Sequence, residues 1–577
     1  MITVIRNGTY FDGTGAKGQA KDIVIKDGLI DSIHDRAPHI EKVREIDATG
    51  KWVTPGFLDI HTHYDAEIEV MPGLEESLRH GTTTVVMGNC SISAALGKDE
   101  DIVDLFCRVE NMPAQVLTEW IKDRITWKSL AEYYEHLGSL NMGPNVASFI
   151  GHSNIRIASM GVGRSFKVQK ATKAEKAKMD TYLNEAMEAG YLGMSIDMLP
   201  FHRWSGVFNP AYKGASVPSQ QASVSEYRRL ANILRRHNRV LQATPNALDK
   251  KSGIHLLHMS SGLGRKPLKT TIVAAMDLKS DENIHKLVTL LATIGKKVFN
   301  ADMRFQALSM PFLNYGEGPI TPLFEEFPSM VKVIGASSEE RKDTFADPSF
   351  RAWFKKDWNH RSTSVFPRLL REITVVKAPD KSLIGSTFQE LSDRNANGGD
   401  SLDYFMDLMQ EHDTDLIWKC VAANHRDDVR MSLMAHDYTF PGFNDSGAHN
   451  VNMAFHDGAL QTLRQSMNFP DIMPIEKAIN RLTKLPADWL GLDAGSIEIG
   501  RRADLCVIDP SQLESGLTQE PLEDYHPSLG GAFRYVKRSD GVVNHVFVNG
   551  HEVFNDQHGF VKDLGKRQYG QLLRSMN

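Results

Sequence analysis

The feature that most constrains this chain is serial: short apolar segments recur between amphipathic stretches along its middle. Eight of them read as strands, around 57–61 (FLDIH), 82–87 (TTTVVM), 145–150 (NVASFI), 193–197 (GMSID), 239–243 (RVLQA), 271–276 (TIVAAM), 297–302 (KVFNAD) and 439–443 (TFPGF). Segments such as TKAEKAKMDTYLNEAMEA and SVSEYRRLANILRRH fall between them, the first with apolar residues at roughly helical spacing. Eight strand–helix units in series predict an α/β fold, a (β/α)8 TIM-like barrel.

The two ends of the chain have a different texture. MITVIRNGTYFDG and DIVIKDGLIDSIH alternate β-branched and polar residues and break at Asn-Gly and Asp-Gly turns. RRADLCVIDP and GVVNHVFVNGHEVF repeat that texture near the C-terminus, so a small β-sandwich domain built from both chain ends is expected. The expected division is residues 1–56 for its first part, 57–485 for the barrel with a helical insertion around 335–415, and 486–577 for its second part and a C-terminal tail. Within the long interval before the last strand, DLIWKCVAA competes as a further strand.

A chain of 577 residues, 41% hydrophobic and 24% charged, can bury a large core. Its net charge of −6 and the lack of any lysine and arginine run give no support to nucleic acid or an anionic membrane as partner. No stretch approaches the roughly 20 apolar residues of a membrane helix, and the N-terminus lacks a basic start followed by a long apolar core. A cytoplasmic protein with a small-molecule partner is therefore expected, its oligomeric state left open. Cys90, Cys107, Cys420 and Cys506 lack CxxC spacing, which argues against a disulfide scaffold or a cysteine-rich zinc knuckle.

The chemistry concentrates in FLDIHTHYD, residues 57–65. Alternate strand residues share a face, so Asp59, His61 and His63 point together, toward the interior of a barrel whose active site lies at the C-terminal strand ends. Two neutral imidazoles there can chelate one divalent cation and leave positions open for water and substrate. A packed core would place Leu or Val at such positions instead.

The string TPGFLDIHTH resembles the first metal-binding strand of the amidohydrolase superfamily. GTTTVVMGNCSIS and PNVASFIGHSNIR resemble more narrowly its N-acyl-D-amino-acid deacylase (D-aminoacylase-like) group, and GFNDSGAH resembles the same superfamily's last-strand motif. The resemblance implies that His61, His63, Cys90 and Asp445 bind metal, with zinc as the leading ion, one or two in number. It also implies that Asp445 is catalytic, moving a proton from the attacking water to the leaving amine. His449 resembles a recurrent part of the group's motif and stands as a possible ligand or ligand support. Taken alone, Cys90 reads first as a small buried hydrophobe, as most lone cysteines are, and Asp445 before Ser-Gly reads first as a turn cap.

The chain departs from the group at strands five and six, where two further histidines are expected. VLQATPN offers Gln242 and Thr244, and AAMDLKS offers Met276, Asp277 and Lys279. His152, Asp197 and His202 are the candidate substitutes, as ligands or as their supports. Arg156, Arg203 and Arg304 fall near expected strand ends and are candidates for a substrate carboxylate. The expected activity is a metal-dependent hydrolase acting on a linear amide, with an N-acyl (D-)amino acid as leading substrate. A cyclic amidase, a carboxypeptidase-like hydrolase and a catalytically silent small-molecule-binding relative are the alternatives.

Overall fold

The computed structural model describes residues 2–40, 43–247, 249, 251–360, 364–395, 398–517 and 520–576. Its centre is a ring of eight parallel strands. Strand one runs through Phe57–Asp59 and His61–Thr62, strand two is Thr82–Met87, and strand three runs through Asn145–Ser148 and Ile150–Gly151. Gly193–Asp197, Val240–Thr244, Lys269–Ala275 and Asp302–Ala307 follow as strands four to seven, and Thr439–Pro441 with Phe443–Ser446 is the eighth. Each pairs in parallel with the next. The ring closes where Phe443 and Ser446 pair with His61 and Thr62. Strand two is buried along its whole length, as expected where helices cover the outside and side chains fill the inside.

The intervening helices form where the sequence supplies both face and caps. Lys173–Ala189 starts in a capping box between Thr172 and Glu175 and stops at left-handed Gly190. Val224–Arg236 is capped by Ser223 and buries Tyr227, Leu230, Ala231 and Leu234, spaced for one face.

The seventh strand lies further along the chain than its expected place at 297–302. Lys297, Val298 and Phe299 are instead the last turn of the helix Ile284–Phe299, ended by left-handed Asn300, and the strand begins at Asp302. The run KVF is β-prone by composition, but it continues the amphipathic period of that helix, and the period wins. Ile417–Ala423 is a strand, yet it lies outside the barrel. It pairs antiparallel with Phe312–Glu317 and Thr374–Lys377 in a sheet of its own. Beside that sheet, Phe324, Phe327, Phe354, Trp358, Phe405 and Trp418 pack into a separate aromatic core.

The chain ends meet in one continuous nine-stranded sheet, in which Trp52–Pro55 pairs antiparallel with Leu505–Ile508. Ile5, Ile23, Ile25, Val53, Leu505 and Phe547, from both ends, share one apolar cluster. No described helix is long and apolar enough to cross a membrane.

Candidate metal centre

The C-terminal ends of strands one, two and eight converge on one buried point. Strand one breaks after Asp59, where the backbone N–H of Ile60 donates to Gly442 O of strand eight (3.1 Å) and that of His63 donates to Ser446 O (2.8 Å). These bonds aim His61 and His63 inward from one short segment. Asp59, below them, accepts from Ser446 Oγ (2.9 Å) and from the His61 N–H (3.2 Å).

Several residues here sit in the left-handed region, Cys90 at φ 50°, Asp445 at 54° and His449 at 52°. Such conformations cluster where surrounding structure holds a functional geometry against local preference. Gly88 (φ 73°) and Gly447 (φ 86°) make the turns possible: a Cβ on Gly88 would lie 2.1 Å from Phe149 O, and one on Gly447 2.6 Å from Tyr64 Cδ1.

The donor atoms face one another. His61 Nε2 and His63 Nε2 stand 3.5 and 3.2 Å from Asp445 Oδ1, and Cys90 Sγ stands 3.4 Å from His61 Nε2. Donor atoms of His61, His63 and Cys90 all lie within 4.8 Å of one another. A tetrahedral zinc site with bonds of about 2.0–2.3 Å has edges of about 3.3–3.7 Å, so the three measured separations lie in or close to that range.

Each imidazole is oriented from behind. His61 Nδ1 meets Gln306 Oε1 at 2.8 Å, and His63 Nδ1 faces Glu110 Oε1 at 3.2 Å. This is the arrangement in which a metal-ligating histidine presents one nitrogen and has the other held by a carboxylate or carbonyl.

The electrostatics fit a cation. Burial pushes His61 down to about 3, which leaves the neutral imidazole a metal requires. Burial pushes the Cys90 thiol up to about 12 and the Glu110 carboxyl up to about 7. For His63, burial opposes protonation but Glu110 and Asp445 outweigh it and hold it well above its ordinary value; the proton it keeps stands where positive charge is wanted. Asp445 is partly shielded, yet its bond to His63 holds it below the usual carboxylate range. Two carboxylates and a thiol around two imidazoles suit a divalent ion, which favours the thiolate.

The positions at strands five and six are accounted for without histidine. Gln242 Oε1 accepts from the Cys90 N–H (3.0 Å), and Thr244 Oγ1 donates to Cys90 Sγ (3.3 Å). Strand five thus fixes the cysteine. Asp277 turns to Arg426, whose Nε donates to Oδ2 at 2.9 Å. Met276 lines the adjoining cavity.

Of the other candidates, His202 lines the cavity and is held by Asp197, with Nδ1 2.7 Å from Asp197 Oδ2. Asp197 also accepts from the Leu199 N–H at 2.6 Å, so it orders the turn after strand four. His449 Nε2 stands 3.6 Å from both Glu110 Oε2 and Asp445 Oδ2, and burial lowers it to about 4.

Four other candidates lie apart from the donor cluster. His152 is fully buried between Glu226 (3.1 Å) and Ser219 (3.0 Å), away from the donor cluster. Arg156 pairs with the same Glu226 at 2.5 Å and donates to Val168 O. Arg203 pairs with Glu325 at 3.3 Å and donates to Gly214 O. Arg304 precedes Gln306 by two residues on strand seven, on the side away from the strand ends, and lies over the Tyr438 ring. None of these four lines the cavity. The arginines had no visible partner in sequence because the acids that neutralise Arg156 and Arg203 lie 70 and 122 residues away. Glu110 and Gln306 carry no mark in the sequence: Glu110 follows an unremarkable helix, and Gln306 lies beyond the place expected for the seventh strand.

The amidohydrolase family pattern matches residues 44–240 and again 418–553. The chain is 36% identical to an uncharacterized protein of Mycobacterium tuberculosis, over 99% of this chain and 94% of that one. It is 34% identical to the N-acyl-D-aspartate deacylase of Alcaligenes xylosoxydans xylosoxydans over 33% of this chain and 36% of the relative. A solved structure of D-aminoacylase, described for its binuclear metal center, superposes with a TM-score of 0.64 over 99% of both chains at 20% identity, a likeness of fold. The chain belongs to the amidohydrolase superfamily and is a hydrolase of carbon–nitrogen amide bonds.

Proposed function

We propose that this hydrolase removes the acyl group from an N-acyl amino acid in a metal-dependent reaction. The observation that carries the reading is the convergence of His61, His63, Cys90 and Asp445 on one buried point. His61, His63 and Cys90 would hold the ion, zinc being the best match to imidazole and thiolate donors. When bound, it supplies Lewis acidity toward the amide carbonyl and lowers the pKa of water.

The chain's own residues do the rest. Asp445 accepts the proton of the attacking water on its carboxylate and returns it to the departing nitrogen, which would otherwise leave as an unstable amide anion. Gln306 and Glu110 keep the two imidazoles turned toward the site. His202, held by Asp197, faces the same cavity and can donate a hydrogen bond to the carbonyl oxygen as negative charge develops there.

The test pairs elemental analysis with turnover of N-acyl amino acids of both hands. A transition metal at one or more equivalents is expected, and Cys90→Ser should lose far more of it than Cys107→Ser, since Cys107 lies on the helix Asp99–Val109 outside the donor cluster. An active preparation without stoichiometric metal, or equal occupancy in the two variants, would overturn the metal assignment. A metal-loaded protein that binds but consumes no amide would instead be the silent relative.

A further inference from the structure

The cavity above the donor cluster has a volume of about 290 Å³, with His61, Cys90, Asp445 and His449 at its inner end. Its walls are mostly hydrocarbon, with His202, Thr244, Asn246 and Ser252 among the polar lining. Leu256, Ile272, Leu291, Phe305, Phe312 and Phe443 line it, drawn from helices, barrel strands and the insertion. Among the described residues that line it there is no lysine or arginine, and the acids are Asp249 and Asp445. The three arginines expected to meet a substrate carboxylate lie elsewhere, two of them on internal acids. What this space can recognise is therefore apolar surface.

The lining continues outward. Leu287 is both a wall residue and 40% exposed. Leu290, Ile294 and Val298, at spacings of three and four, extend the same face of the helix Ile284–Phe299 and are 54, 38 and 60% exposed. The neighbouring helix Lys251–Ser260 packs against this one, Gly253 facing Leu291 and Gly295 facing Leu257, and adds Ile254, 61% exposed. An apolar face that opens from a catalytic cavity is more than the scattered exposed leucines of an ordinary surface.

We infer that the amide taken by this enzyme carries a long apolar chain, which fills the cavity and whose far end runs out along Leu287 toward Leu290 and Ile294. The inference rests on the reading of the site as an amide hydrolase. It adds that the site grips hydrocarbon, with the polar end of the substrate left to solvent. The chain belongs to either half of the amide, its acyl group or its amine.

Two kinetic series on the metal-loaded enzyme separate these sources: one amino acid acylated with chains from acetyl to decanoyl, and acetamides of amines from methyl to decyl. In one of them kcat/KM should rise by about fourfold for each methylene buried, up to the length that leaves the cavity. Calorimetry with hexanoate, octanoate and decanoate gives a readout that needs no turnover, and affinity should climb by the same factor. Leu287→Glu should flatten the climb and lower decanoate affinity at least tenfold, while Leu287→Met keeps it. Decanoate and hexanoate binding within twofold of each other, with both kinetic series flat, would overturn the inference and leave the hydrolase reading intact. Graded binding without turnover of either series would sustain it and count against that reading. A Leu287→Glu protein that loses self-association but keeps the chain-length dependence would assign the outer face to a second copy of the chain, and would overturn the path proposed for the chain's far end.

Discussion

At the residue scale, the proposed reaction depends on Asp445 doing something an isosteric amide cannot. Its carboxylate touches His61, His63 and His449 at once. Asp445→Asn preserves size and one hydrogen-bond acceptor but removes the base. Turnover is expected to fall by at least about 10²–10⁴-fold, with little change in thermal unfolding. A turn-capping role predicts near-normal turnover once folded, so a variant with wild-type rates on any substrate the parent consumes would transfer the proton-moving role elsewhere, with His202 the next group on the cavity wall.

At the element scale, the helices His152–Met160 and Val224–Arg236 are joined by a buried network away from the centre. Glu226 lies between His152 and Arg156, and burial, which would raise its pKa, is outweighed by these two partners, so that it falls to about 2. A carboxylate depressed in the folded state contributes stability that is complete above its ordinary value and is lost as pH falls toward the folded one. The window here runs from about pH 4.5 down to about 2. Glu226→Gln leaves Arg156 without its counter-charge and should cost about 3–5 kcal/mol at pH 7. Denaturant titrations of both proteins between pH 7 and 2 should show the gap between them narrowing below pH 4.5. A gap constant across that range would mean that the carboxylate's charge contributes nothing.

At the scale of the whole molecule, the barrel is closed at its two ends by different means. The strand ends that hold the donors are covered by the insertion, whose aromatic core is its own. The strand starts are covered by the last residues of the chain. Val146 N–H donates to Gln571 O (2.9 Å) and Leu573 N–H to Val146 O (2.7 Å), while Leu573 packs with Phe149, Leu192 and Val240. Deleting residues 570–577 removes those bonds and one buried leucine, itself worth about 1.5–3 kcal/mol. The melting temperature should fall by several degrees, and turnover per folded molecule at 25 °C should stay near the parent's because the proposed metal donors lie at the opposite end. An unchanged melting temperature would show that the tail adds nothing to the barrel.

Much of this architecture is written in local pattern. Alternating strand and helix periods announce eight parallel strands, and seven of them sit within a few residues of their expected places, because burial on both faces demands continuous apolar runs. His61 and His63 stand out locally, as a histidine pair ending an apolar strand, whereas Cys90 and Asp445 stand out only through the family motifs GNCSIS and GFNDSGAH. Tertiary structure decided everything that depends on who stands opposite. Ring closure between strands one and eight brings Asp445 to His61 across 384 positions. Glu110 reaches His63 from a loop whose sequence carries no mark of it. Arg156, Arg203 and His152 are paired with Glu226 and Glu325, so side chains that look available in the sequence are already engaged in space. Periodicity is a property of neighbours along the chain, whereas charge pairing falls off with distance through space and is indifferent to separation in sequence. The first is therefore readable from the amino acids in order, and the second only from the fold.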